Sequence, residues 1–270
     1  MHALATQVTK RAHVKATTAA DVQRAAPDGR NVAVDRSVAQ VPVSPDGTLF
    51  ATCGTCGHVA VWHTPTSLRV RELHKHNRNQ QFGCLAWSPD SSQLATGGGN
   101  RDLTTGNIML WDVATGVVKV TLEGHRSFVR SVAWSPDGRK LCSCSIDSRV
   151  WNLDTGDVVH VLKRSALGVT NVAWGHDGAC VASASQSVTV WDAGTGVALR
   201  VLKAGPGRAE GVAWSPVVDM VAIPVHGGVQ VWEAATGTAK HTLPGHTGIA
   251  LAVAWSLEGT TSPLARMTGE

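Results

Sequence analysis

The sequence predicts an all-β protein made of repeated four-stranded antiparallel sheets, and the tryptophans give the first indication of this fold class. All ten fall into two series that each recur with a spacing of about 40 residues, and the chain contains no tyrosine. Apolar residues alternate with small or polar ones within each repeat, as in Val188–Trp191, which is the periodicity of a β-strand. Turn motifs rich in Gly, Pro, Asp and Ser separate these runs.

The two tryptophan series mark two different strands of each repeat. The first ends segments such as SVTVW and consists of Trp62, Trp111, Trp151, Trp191 and Trp232. The second ends segments such as SVAW and consists of Trp87, Trp134, Trp174, Trp214 and Trp255. One small sheet cannot bury both of its faces, so we expect neighbouring sheets to stack around a common axis.

The repeat resembles the WD repeat of β-propeller proteins. In one unit Gly124–His125, the turn Ser135–Gly138, Ser143, Asp147 and Trp151 match that pattern, and Trp111–Asp112 and Trp191–Asp192 are literal Trp-Asp pairs. The resemblance covers residues 38–266. It implies that His125, Ser143, Asp147 and Trp151 form buried hydrogen bonds. It also assigns structural roles to Trp111, Trp191 and Trp232.

Several units depart from the family pattern. Asp147 lies four residues before Trp151, where the family usually has six, so this turn is two residues short. The units ending at Trp191 and Trp232 are shortened in the same hairpin and lack the Asp, whereas the unit ending at Trp111 has an insertion at Gly97–Asn107. Because missing buried hydrogen bonds weaken a fold by about 1 kcal/mol each, we expect a propeller less stable than one with complete repeats.

Two domains are predicted, a basic and mostly flexible arm at 1–37 and a propeller at 38–270. Five complete blades are followed by a partial sixth, with strands expected at Leu251–Trp255 and Pro263–Arg266. In the favoured arrangement Asn31–Asp35 closes the ring as an outer strand of a composite sixth blade. A fragment of a seven-bladed ring and a closed five-bladed ring are the alternatives.

Charge and cysteine content indicate the class of partner and the compartment. Residues 1–37 hold six basic and three acidic residues, which leaves 18 basic and 17 acidic in the rest of the chain. A nearly neutral domain argues against direct binding of nucleic acid, and no apolar run is long enough for membrane insertion. Six cysteines without a disulfide framework suggest reduced thiols, so we expect a cytoplasmic protein, with a nuclear one as an alternative. An organelle transit peptide is the alternative for the arm.

The sequence contains few patterns typical of catalysis or metal binding. Cys53, Cys56 and His58 could hold zinc or form a redox pair, but no second CxxC accompanies them, and a hairpin turn explains them better. Gly97–Gly99 lacks the following Lys-Ser/Thr of a phosphate-binding loop. We therefore expect a non-enzyme without cofactor or metal. A propeller enzyme or metal-binding protein remains the alternative.

The expected function is protein binding, as the resemblance implies for one face of the ring. Candidate residues lie four and six positions before the second-series tryptophans or in a hairpin turn, and they are Gln81, Phe128, Arg130, Ile146, Arg208, Glu210 and Ile249. Phe128 and Arg130 are the strongest candidates, because aromatic residues and arginine dominate binding energy at interfaces. The prediction is an adaptor or scaffold subunit that binds proteins or peptides. The regulatory sensor portion of a larger multidomain protein is the alternative.

Overall fold

The computed structural model describes residues 41–53, 57–74, 80–100, 102–162, 168–203, 205, 207–249, 252–255 and 264–266. Every regular element in these ranges is a β-strand, which confirms the all-β prediction. The same ranges hold no helix long and apolar enough to cross a membrane. The proposed closing strand Asn31–Asp35 and the rest of the arm lie outside the described residues.

The strands form six antiparallel sheets that follow one another along the chain. Sheet one contains β1 Leu49–Cys53, β2 His58–His63 and β3 Arg69–His74. Sheet two contains β4 Gln80–Trp87, β5 Gln93–Asn100, β6 Gly106–Asp112 and β7 Val118–His125. Sheet three contains β8 Ser131–Trp134, β9 Lys140–Cys144, β10 Ser148–Asn152 and β11 Val158–Leu162. Sheet four contains β12 Asn171–Trp174, β13 Cys180–Ala184, β14 Val188–Asp192 and β15 Ala198–Leu202. Sheet five contains β16 Ala213–Trp214, β17 Met220–Glu233 and β18 Thr238–Ile249. Sheet six contains β19 Ala252–Ala254 and β20 Leu264–Arg266.

Sheets two, three and four have the four strands that the repeat predicts. Sheets one and five each contain three named strands, and other features supply the fourth strand position. In sheet one, Val43 forms an isolated antiparallel bridge with Phe50 in place of a full first strand. In sheet five, β17 folds back on itself, since Ala234 N after its end donates to Asp219 O before its start at 3.0 Å. Gly227 has a φ of +85° near the fold. The sixth sheet has the two strands predicted for a partial blade.

Buried side chains form one hydrophobic cluster between each pair of consecutive sheets from one to five. Leu94 of β5 packs toward sheet one, while its neighbour Ala95 packs toward sheet three. Similar clusters fill the space between sheets three and four and between sheets four and five. Because successive residues of a strand point to opposite faces, alternating apolar residues supply both clusters at once. This explains why each blade requires a neighbour on either side.

Each sheet has two ends with different connections. The loop end carries the segments that precede each first strand and the turns between second and third strands. At this end of sheet three, Arg130 N donates to Cys144 O at 2.8 Å. The SPDG end carries the turns after each first strand, such as Ser135–Gly138. There Ser135 Oγ accepts from Lys140 N at 2.8 Å, and Gly138 has a φ of +70°. A glycine adopts this conformation without strain.

The insertion at Gly97–Asn107 lengthens the hairpin of sheet two. β5 continues to Asn100 and β6 begins at Gly106, so the two strands stay paired beyond the usual turn. Asn100 Oδ1 accepts from the backbone N–H of Thr104 and Thr105 at 3.0 and 3.1 Å and organises the turn. The insertion is therefore an extended hairpin at the loop end.

Candidate functional site

A hydrogen-bonded chain links four residues of sheet three. Trp151 Nε1 donates to Ser143 Oγ at 2.8 Å, and Ser143 Oγ lies 2.7 Å from His125 Nε2. His125 Nδ1 lies 2.8 Å from Asp147 Oδ1. The short turn is compatible with this arrangement because it brings Ser145 N within 2.8 Å of Asp147 O, which holds the Asp147 side chain over the histidine.

Arg149 extends this chain beyond the predicted residues. Its Nε donates to Asp147 Oδ2 at 3.0 Å, and its guanidinium lies 5.9 Å from the Trp151 ring centre. Burial alone would raise the pKa of Asp147, but its hydrogen bonds to His125 and Arg149 and the electrostatic effect of these two side chains outweigh burial and lower that pKa to about 2. Asp147 is therefore held ionised between two donors.

The bond between a tryptophan and a hydroxyl recurs in four of the sheets. Trp62, Trp111 and Trp191 donate through Nε1 to Thr52, Thr96 and Ser183 at distances of 2.8–3.0 Å. Our sequence analysis did not identify these hydroxyl partners. Each lies two residues after the residue opposite the tryptophan on the adjacent strand, so register between predicted strands could have revealed them.

Sheet five lacks this bond. Trp214 pairs with Val221 as Trp174 pairs with Val181, so Ile223 occupies the position of Ser183. Ile223 offers no acceptor, and Trp232 Nε1 is buried without a hydrogen-bond partner among the described residues. Trp232 is also only half-buried, whereas Trp111, Trp151 and Trp191 are buried. The fifth repeat is thus the least complete of the five.

Backbone hydrogen bonds join consecutive sheets at the loop end. Val129 N donates to Gly98 O at 3.1 Å, Val169 N to Ser145 O at 2.8 Å, and Ala209 N to Ser185 O at 2.7 Å. Each bond attaches the segment before a first strand to the hairpin of the preceding sheet. Residues on either side of these anchors are thereby positioned by two sheets at once.

Phe128 lies between sheets two and three. A Cβ added to Gly83 would lie 2.3 Å from Phe128 Cε1, so the ring packs directly over that glycine. The side chain is half-buried, and its contact is with the preceding blade. Packing and partial exposure coexist here, so this position does not exclude a role in binding.

Arg130 is exposed at the loop end, whereas Arg208 and Glu210, two sheets further on, are half-buried. Arg208 Nη2 donates to Gly168 O at a long 3.4 Å, and its Nε is buried and has no partner in the described part of the chain. No described carboxylate forms a salt bridge with Arg130 or Arg208. Burial raises the pKa of the Cys144 thiol, and the charges of Arg130 and Arg208 oppose that rise.

The remaining predicted binding residues are distributed around the same end. Ile146, at the tip of the turn in sheet three, is 52% exposed. Gln81 is half-buried in β4 opposite Gly99. Ile249 is the last residue of β18, and its backbone pairs with His226. These three residues belong to sheets two, three and five.

The alternative chemical sites have structural explanations where they are described. Cys53 is buried at the end of β1, and Cys56 lies outside the described residues. No group of three or more metal-binding side chains is found in the described ranges. A Cβ on Gly98 would lie 1.9 Å from Gln81 O, so close approach of two strands requires glycine there.

Comparison with known families identifies the repeat. The model for "WD domain, G-beta repeat" matches residues 19–63, 67–112 and 116–152. Three segments of the chain are therefore WD repeats. The first match begins within the segment that the sequence analysis assigned to the arm, and the third ends at Asn152, the last residue of β10 in sheet three.

Relatives of this WD-repeat chain are similar over part of their length. Meiotic recombination protein rec14 of Schizosaccharomyces pombe is 35% identical over 40% of this chain and 33% of its own length. Protein HIRA of Dictyostelium discoideum is 29% identical over 42% of this chain and 12% of its own length. The WD-repeat chain thus matches a third or less of each of these relatives.

A solved structure supports the propeller architecture. A chain in the crystal structure of a mitotic checkpoint complex superposes with a TM-score of 0.72 at 23% identity, covering 82% of this chain and 69% of that chain. The WD-repeat chain therefore has the same kind of fold, consistent with its successive four-stranded sheets.

Proposed function

We propose that this WD-repeat chain is a non-catalytic adaptor that binds a partner protein or peptide at the loop end of its sheets. One observation carries the proposal: exposed Arg130, without a described carboxylate partner, lies two residues from half-buried Phe128. An arginine and an aromatic ring positioned by two sheets provide both charge and apolar area to a partner. An extended segment with an acidic residue beside an apolar one fits this pair.

The presence of WD repeats supports a binding role over an enzymatic one. The names of the relatives, meiotic recombination protein rec14 and protein HIRA, do not refer to a catalysed reaction. The solved neighbour comes from a multiprotein complex. We accordingly infer that this chain acts as a subunit of a complex in the cytoplasm or nucleus. The regulatory part of a larger protein is the second form this role could take.

The test compares two exposed arginines at opposite ends of sheet three. Partners captured by the full chain are identified, and their affinity is measured for Arg130→Ala and for Arg139→Ala, which follows the SPDG turn. Loss of an anchor at Arg130 should weaken binding by about 2 kcal/mol, roughly 30-fold in Kd, while Arg139→Ala changes it little. Equal affinities of the two variants, with both proteins folded, would show that the loop end is not the binding surface.

A further inference from the structure

The loop end of sheet five has a cleft where sheet three has its histidine. Gly205 stands nine residues before Trp214, as His125 stands nine residues before Trp134. Ile223 occupies the position of the hydroxyl partner, as described above. The fifth repeat therefore lacks both side chains that fill this space in sheet three. A cleft is found here, lined by residues that include Gly205, Arg208, Gln186, Pro224 and His226.

Three chain segments form the walls of the cleft. Gln186 is at the hairpin tip of sheet four, Pro224 and His226 are at the fold of β17, and Arg208 precedes β16. The backbone bond from Ala209 N to Ser185 O, 2.7 Å long, joins two of these segments. Gly205 has a φ of +95°, a conformation that favours glycine over a bulky side chain at this wall. The open space is thus a consequence of the local sequence.

The charged groups that line the cleft are of one sign. Among the described residues that line it, Arg208 is the one charged side chain, and none is Asp or Glu. Within the described chain, the Arg208 guanidinium makes one long hydrogen bond, to Gly168 O, its Nε has no partner, and it forms no salt bridge. An arginine offers five N–H donors in a planar fork that matches the geometry of an oxyanion. Most of this hydrogen-bonding capacity is unused within the described chain.

We propose that the Arg208 cleft binds an anionic side chain of the partner, either a carboxylate or a phosphorylated residue. The proposal rests on the proposed function in taking the anion from a partner that docks at the loop end. Arg208 donates to the oxygens of the anion, and the Gln186 amide adds a neutral donor from the facing wall. Arg130 and Arg208 then form two cationic anchors, which precede the first strands of sheets three and five.

The test uses the full chain and two small probes, capped glutamate and O-phosphoserine. Each is titrated while the ¹H–¹⁵N resonances of the arginine Nε–H groups are recorded, with the Arg208 signal assigned by its loss in Arg208→Gln. We expect a saturable shift of that signal with one of the probes, whose identity distinguishes carboxylate from phosphate. A matched variant, Arg139→Gln, should keep the shift.

Binding of the same probe should weaken by about tenfold or more in Arg208→Gln, because charge-assisted hydrogen bonds are lost. This loss is followed through the indole N–H resonances, which remain in the variant. Absence of any saturable Arg208 shift with both probes, or equal affinity in Arg208→Gln and Arg139→Gln, overturns the proposal. Neither result depends on Arg130, so failure of this cleft and failure of the proposed function are distinguishable.

Discussion

At the scale of single residues, the hydrogen bond from a buried indole decides how complete each repeat is. Four first-series tryptophans donate to a Ser or Thr, while Trp232 Nε1 in sheet five is buried and has no partner among the residues that the structure describes. A buried donor without a partner costs about 1–3 kcal/mol. The difference between these sheets therefore comes from one position on the second strand, which is Ser183 in sheet four and Ile223 in sheet five.

Substitution at Ile223 tests this explanation. Thr and Val have nearly the same shape, so comparing Ile223→Thr with Ile223→Val isolates the hydroxyl group. We expect the Thr variant to be more stable by about 1 kcal/mol in denaturant unfolding, because its oxygen accepts from Trp232 Nε1. A buried Thr without a partner is less stable than Val, so the opposite order would refute the missing bond as the cause.

Asp147 makes stability depend on pH at the same scale. Its pKa is lowered from 3.8 to about 2 in the folded protein, so the ionised form stabilises the fold above about pH 4, and this contribution is lost as pH falls toward 2. Asp147→Asn removes the contribution of the charge, which is on the order of 2 kcal/mol for a shift of this size. The difference in unfolding free energy between wild type and variant should be largest near neutral pH.

The control for this prediction is the pH profile itself. Other aspartates also have lowered pKa values, including Asp137 through its bond to Ser135. They titrate in both proteins and cancel in the difference. A gap between wild type and Asp147→Asn that stays constant from pH 6 to about pH 2 would contradict the role of the Asp147 charge.

At the scale of elements, close strand packing explains the glycine run in the extended hairpin of sheet two. Gly98 approaches the backbone of Gln81 so closely that a Cβ would lie 1.9 Å from its carbonyl oxygen. Gly98→Ala must therefore separate β4 from β5. We expect a loss of about 1–3 kcal/mol in unfolding free energy, typical of overpacking.

Gly194 provides a matched control for Gly98. A Cβ there meets only Asp192 Oδ1 at 3.4 Å, an ordinary contact distance, and its φ lies outside the left-handed region. Gly194→Ala should change stability by no more than about 0.5 kcal/mol. If both alanine variants unfold at the same denaturant concentration, the strands in sheet two are not held as closely as described.

At the scale of the whole molecule, the interfaces between sheets differ in their hydrogen bonds. At four interfaces, a second-series tryptophan donates through Nε1 to a backbone oxygen at the first-strand position of the preceding sheet. The pairs are Trp87 with Pro42, Trp134 with Ala86, Trp174 with Ala133 and Trp255 with Ala213. Trp214 Nε1 is buried without a partner in the described chain. The interface between sheets four and five thus lacks a bond that four other interfaces have.

This difference predicts unequal protection along the ring. Because blades stabilise one another mainly through nearest-neighbour contacts, local opening should begin at the weakest interface. In native-state hydrogen exchange, we expect the amides of Val229 and Val231 in sheet five to exchange faster than those of Val150 and Val190. Equal protection of these strands would indicate that the chain opens as a single unit.

The sequence alone determined the repeat, the two strands that its tryptophans mark and the resemblance to WD repeats, because tryptophan spacing and alternating apolar residues are local properties of the chain. It also identified His125, Ser143, Asp147 and Trp151, whose residue types match one motif. The hydroxyl partners Thr52, Thr96 and Ser183 follow from the register of predicted strands within one repeat. The packing of Phe128 on Gly83 and the cleft beside Arg208 depend instead on which sheets become neighbours. Only the tertiary structure decides these contacts, because they join residues from different strands and blades whose distances no sequence spacing fixes.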